Sequence, residues 1–114
     1  GKVRYLYKLL SLKRSSLMVV AAIKFKIYLL NKPSNLKEKR MLINSIKDKL
    51  LKRFNVSVAE VDDHNSLHTS TIGISIVSNK IEFVDKIKSK IYDFFENYKD
   101  ISIIDYYCDY LSGF

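Results

Sequence analysis

Two helix-opening strings, Asn35-Leu36-Lys37-Glu38 and Asn79-Lys80-Ile81-Glu82, stand 44 residues apart, each lying between two strand-like runs. An Asn that accepts from the first helical turn, followed three residues later by a Glu that reaches back, marks a capped helix start. Before the first string, the run Val19–Leu29 ends in an alternation of Ile23, Phe25, Ile27 and Leu29 with Lys24, Lys26 and Tyr28. That period of two predicts a strand with one covered face and one wetter face. After it, Leu36, Ile43, Ile46 and Leu50, with Leu42 nearby, recur at helical spacing. Val56–Val61 then reads as a strand, and Asp62–His68 as a polar connection. The second half repeats the plan: a strand at Thr69–Ser78, and a helix with the stripe Ile81, Val84, Ile87, Ile91, Phe94, Phe95 and Tyr98. A strand at Ile101–Leu111 completes it.

The order is therefore βαββαβ, two βαβ halves in tandem. Right-handed crossovers place both helices on one face of a four-stranded antiparallel sheet, an α+β ferredoxin-like sandwich whose other face has no helical cover. At 114 residues there is room for one such domain. It is expected over residues 18–114, because Met18 stands directly before the first strand. Residues 1–17 read as a basic N-terminal extension. They suit an amphipathic helix with Leu6, Leu9, Leu10 and Leu17 near one side, an acid-poor targeting peptide, or a segment foreign to the domain.

The formal net charge of +8 is unevenly placed. Residues 1–17 hold Lys2, Arg4, Lys8, Lys13 and Arg14 and no acid. Residues 34–53 hold Lys37, Lys39, Arg40, Lys47, Lys49, Lys52 and Arg53 against Glu38 and Asp48. Clustered Lys and Arg bind phosphates by charge and counterion release, with no further motif needed. Lys37 and Arg40 share a helix face, and Lys24 and Lys26 add charge to the open sheet. The competing reading is a solvated helix face with ordinary ion pairs such as Asp48–Lys52. Under it the stem of Lys39, which falls within the apolar stripe, merely covers the core edge. Tyr28 is a candidate for base stacking on the open face, and Tyr107 another if the last strand turns that way.

Little points to catalysis. Gly1, Gly73 and Gly113 are the only glycines, so no Gly-rich loop cradles phosphate. The sequence contains no nucleophile elbow and no convincing acid–base pair. Cys108 is the sole cysteine, which precludes an intrachain disulfide and makes a reducing cytoplasm the simplest compartment. In a strand it reads as a small buried hydrophobe. Asp62, Asp63, His64 and His68 read as solvated loop polarity rather than as metal ligands. No apolar run reaches the roughly 20 residues that span a bilayer. Neither a catalytic residue, a cofactor, a metal nor a small-molecule substrate is expected.

Particular strings also carry a resemblance. Asn35-Leu36-Lys37-Glu38-Lys39-Arg40 looks like the S-L-K-E-K-R signature of the YlxP-like family, small bacterial proteins classed as a domain of unknown function. Phe54-Asn55-Val56-Ser57-Val58-Ala59-Glu60-Val61 resembles that family's second signature, and Ile72-Gly73-Ile74 with Val77-Ser78-Asn79 its third. The similarity spans Met18 to about Leu111, although the aromatic usual near Leu67 is absent. The resemblance implies a ferredoxin-like fold, no established catalytic residues, and genes encoded beside translation-initiation and ribosome-maturation factors. With the charge pattern it leads to an expected non-catalytic RNA- or ribosome-associated binding protein. Contacts are expected through Lys24, Lys26, Tyr28, Lys37, Lys39 and Arg40. The alternative is a protein-interaction module that forms a homodimer through its open sheet face or an edge strand.

Overall fold

The computed structural model describes residues 18–113. The extension 1–17 lies outside the described residues. In chain order the elements are β1 (Val19–Leu29), α1 (Leu36–Arg53), β2 (Ser57–Asp62), β3 (Thr69–Ser78), α2 (Ile81–Glu96) and β4 (Ile101–Leu111). This is the expected βαββαβ order, with strand limits within a residue of those read from the sequence.

The sheet runs β2-β3-β1-β4, with every neighbouring pair antiparallel. β1 and β2, joined through α1, point the same way with β3 between them. β3 and β4, joined through α2, likewise flank β1. Each βαβ half thus fills the gap in the other, so neither has a complete sheet alone.

Alternation along β1 sets the layers. Ala21, Ile23, Phe25, Ile27 and Leu29 are buried toward the helices, and so are Ile72, Ile74 and Ile76 of β3. The helices seal that face with Ile43, Ile46 and Leu50 of α1 and Val84, Ile91, Phe94 and Phe95 of α2. Phe25 lies at the centre, its ring stacked on Phe95 at 4.1 Å and tilted against Tyr106 at 5.0 Å. Burying each such aromatic contributes about 2–3 kcal/mol before ordering costs.

The two helix starts differ, although both carry the same Asn-x-x-Glu signature. Asn35 caps α1: its Oδ1 accepts from the Glu38 N–H at 2.9 Å, and Glu38 Oε2 accepts from Ser34 N–H at 2.8 Å. In α2 the cap position falls to Lys80, with no side-chain cap. Asn79 is one residue too early, because β3 stays paired through Ser78 with Val19 and the chain remains extended to Lys80. The Ser78 hydroxyl accepts from the Lys80 N–H instead, at 3.3 Å.

Two register shifts interrupt the sheet, one in β2 between Glu60 and Asp62, the other opposite Lys26 and Ile27. The first swings Val61 onto the open face above Gly73, where a Cβ on the glycine meets Val61 Cγ1 at 2.8 Å. A glycine suits that close approach.

Candidate nucleic-acid interface

The cations of α1 take three different places. Lys37 and Arg40 are exposed, one helical turn apart, and form no ion pair among the described residues. Lys47 is half-buried; Lys49, Lys52 and Arg53 are exposed and likewise outside any ion pair. The Asp48–Lys52 pair of the competing reading does not form.

Lys39 is corrected by the structure: its side chain is only 1% exposed and leaves no surface for a phosphate. It belongs to the buried stripe with Ile43, Ile46 and Leu50. Its stem passes through the core edge, and its ammonium meets the β2–β3 connection. There Nζ donates to the backbone oxygens of Asp63 and His64 and lies 3.4 Å from Glu60 Oε2. Ser70 Oγ donates to the same carboxylate. A lysine so placed ties a loop to a helix, because a charge withdrawn from water persists only with such partners.

On the open sheet face the expected residues separate again. Lys24 is exposed beside Gly73 and Tyr107, its Nζ 5.6 Å from the Tyr107 ring centre. β4 therefore does turn Tyr107 outward, at 55% exposure. Lys26 lies between Thr71 and Asp105 and 3.8 Å from Asp63, whose carboxylate also accepts from the Thr71 hydroxyl at 2.7 Å. Acidic neighbours offset its charge, so Lys26 is a poorer phosphate ligand than Lys24. Tyr28 is half-buried between Thr69 and Ser102. An apolar groove of about 460 Å³ crosses the same face over Gly73, with Ala22, Ala59, Val61 and Tyr107 among its walls.

The β2–β3 connection uses its polar groups internally. Asp62 Oδ1 accepts from Asp63 N–H at 2.8 Å, His64 Nε2 sits 3.1 Å from the Glu60 carbonyl oxygen, and Ser66 Oγ accepts from both His68 and Thr69 backbone N–H. Among the described residues no group of three or more His, Cys, Asp or Glu side chains converges as a metal site.

Two clusters escaped the sequence reading. One is a cleft of about 950 Å³ between α1 and α2, into which Lys49 and Arg53 turn. Adjacent basic and aromatic residues, Arg53-Phe54 and Tyr98-Lys99, were its only signal. The other links α2 to β4: Tyr110 Oη donates to Asp85, and Lys88 Nζ sits 5.2 Å over the Tyr110 ring and 3.7 Å from Asp85. Burial pushes the Tyr106 and Tyr110 hydroxyls above the ordinary tyrosine value, while the hydrogen bond with Tyr110 raises Lys88. All three shifts carry the titrations further above neutral pH. No helix among the described residues is long and apolar enough to cross a membrane.

No curated protein matches the chain. The family described as "Protein of unknown function (DUF503)" matches residues 20–108, from the second residue of β1 to Cys108 in β4. The match takes in both helices, the buried lysine and the whole β2–β3 connection, and with that coverage the chain belongs to the DUF503 family.

Proposed function

We propose that this protein is a non-catalytic, cytoplasmic RNA- or ribosome-binding factor that grips the phosphate backbone through α1. The observation that carries the reading is the state of the α1 cations: Lys37, Arg40, Lys47, Lys49, Lys52 and Arg53 all stand outside any ion pair among the described residues. Opposing them on the helix are only Glu38, occupied at the cap, and Asp48. Uncompensated cations on a rigid helix lose little on neutralising phosphates and release condensed counterions when they do. Lys37 and Arg40 form the leading contact pair, with Lys24 a second point of contact on the open face. The YlxP-like strings in α1, β2 and β3 favour a setting in translation or ribosome maturation.

The test is fluorescence anisotropy of labelled ribosomal RNA fragments over a salt series. Wild type binds at low ionic strength, with affinity falling steeply as salt rises. Lys37→Glu with Arg40→Glu weakens binding by about tenfold or more and flattens the salt slope by about 1.5. Absence of RNA binding at low salt, or a variant that binds like wild type, rules the reading out.

A second reading, homodimerisation through the open sheet, is favoured by the apolar side chains left there. Val61, Val77, Tyr107 and Leu111 are each about half exposed on that face. Sedimentation equilibrium tests this reading; a dimer across this face removes Lys24 and Tyr28 from RNA and leaves the cations of α1 accessible.

A further inference from the structure

The cleft between the helices combines two chemistries that the phosphate track does not need. On its α1 wall stand Lys49 and Arg53, with Lys90 on α2 and Lys99 in the turn that follows. None of the four enters an ion pair among the described residues. Two are drawn over aromatic rings instead. Arg53 Cζ lies 5.5 Å from the Phe54 ring centre and 5.4 Å from that of Phe94. Lys49 Nζ lies 5.0 Å from the Tyr98 ring centre and donates to its hydroxyl at 3.1 Å. A cation held against a ring face keeps most of its N–H donors free for an anion.

The rings themselves are fixed. Phe94 is only 8% exposed and packs on Phe95 and Tyr98 at 5.4 and 5.3 Å. Phe54 and Tyr98 are half-buried beside it, so each keeps part of its surface accessible with Arg53 and Lys49 over their rings. Stacking on such surfaces is how proteins hold nucleobases without reading their edges. The cleft also contains Asp93 and Asp100. Two carboxylates work against a bare polyanion, yet they are suitable acceptors for the hydroxyl groups of a sugar. At about 950 Å³ the cleft has room for a ligand of nucleotide size.

We propose that the α1–α2 cleft binds a nucleoside phosphate. The base lies against Phe54 and Tyr98, the phosphates meet Lys49, Arg53, Lys90 and Lys99, and the ribose hydroxyls face Asp93 and Asp100. The site shares Lys49 and Arg53 with the α1 cations but uses neither Lys37 nor Arg40, the leading RNA contacts, so reversal of that pair distinguishes the two readings.

Calorimetric titration of the full chain at low ionic strength tests this, with ATP, adenosine and tripolyphosphate as probes. ATP is expected to saturate one site per chain. Adenosine, lacking the charge, and tripolyphosphate, lacking the ring and hydroxyls, are each expected to bind about tenfold or more weakly. Lys49→Met with Arg53→Met, both at exposed positions, weakens ATP by about tenfold or more with its melting temperature retained. Lys37→Glu with Arg40→Glu leaves ATP affinity within about twofold. Three results overturn the proposal: no saturable ATP binding, tripolyphosphate binding as tightly as ATP, or equal ATP losses in the two double variants. If the Met variant fails to fold, the comparison of the three probes on wild type still decides.

Discussion

The Lys39 ammonium lies 3.4 Å from the Glu60 carboxylate, with 1% of the lysine side chain and 16% of the glutamate exposed. α1 and the end of β2 are thereby joined by a charge pair that also organises two backbone oxygens of the following turn. Lys39→Met keeps the stem and deletes the charge, leaving Glu60 and the Asp63 and His64 carbonyls without this donor. The partial exposure of Glu60 and its remaining Ser70 donor soften the loss. The expected cost is about 2–3 kcal/mol, seen as a fall of roughly 10–20 °C in thermal melting. RNA affinity of the folded variant, measured in the cold, stays within about twofold of wild type. A melting temperature within a few degrees of wild type contradicts the anchoring role. A tenfold loss of RNA binding by the folded variant contradicts the exclusion of Lys39 from the contact surface.

The two helix starts give a paired test. Asn35→Ala removes an acceptor from the Glu38 N–H and is expected to cost about 1 kcal/mol. Asn79→Ala, one residue outside the cap of α2, is expected to change stability by less than about 0.5 kcal/mol. Urea unfolding of the two variants checks the difference, and equal losses contradict the cap assignment.

That contrast also shows what a sequence of this kind discloses. The six elements and their order were legible because alternation and helical stripes report which side of each element is buried, a local property. The Asn35 cap was legible for the same reason. The Asn79 string misled because β3 pairing, a long-range effect, keeps the chain extended one residue further. Lys39 was recognisable as a member of the apolar stripe, but its partners arrive from β2 and the turn after it. No local pattern tells that a lysine in a stripe ends on Glu60 rather than in water. The α1 cations looked like one cluster along the chain. Folding divides them between an exposed pair at Lys37 and Arg40, a buried tether, and the interhelical cleft that Arg53 and Lys49 enter beside Phe94 and Tyr98 of α2.

Gly73 and Val61 form a second testable pair. The glycine is not among the residues with positive φ, so the constraint is space and not backbone conformation. Gly73→Ala places a methyl 2.8 Å from Val61 Cγ1 and forces the bulge to shift. We expect a loss of about 1 kcal/mol. In a Val61→Ala background the clash is absent, and the same change is expected to gain about 0.5 kcal/mol by replacing a strand glycine. A double-mutant cycle by denaturant unfolding should therefore return a coupling of about 1.5 kcal/mol. Additive effects mean that Val61 does not lie over Gly73 in solution.

The cluster between α2 and β4 fixes an alkaline dependence. Burial raises Tyr106 and Tyr110 above the ordinary tyrosine value of about 10. The hydrogen bond with Tyr110 raises Lys88 in the same direction. The folded protein therefore holds these protons more tightly than the unfolded chain does, and stability falls with pH wherever the two states differ in bound protons. The contribution is complete below about pH 10 and disappears as pH climbs through the raised values. Melting temperature is expected to change little between pH 7 and 9 and to decline above pH 10. Tyr106→Phe keeps the ring that packs on Phe25 and Tyr92 while removing one ionising hydroxyl. Tyr110→Phe removes another, at the expense of the bond to Asp85. The double Phe variant should therefore start somewhat lower at pH 7 and decline less steeply above pH 10. A wild type whose melting temperature is flat to pH 11 contradicts the raised values, and so does a double variant that declines as steeply as wild type.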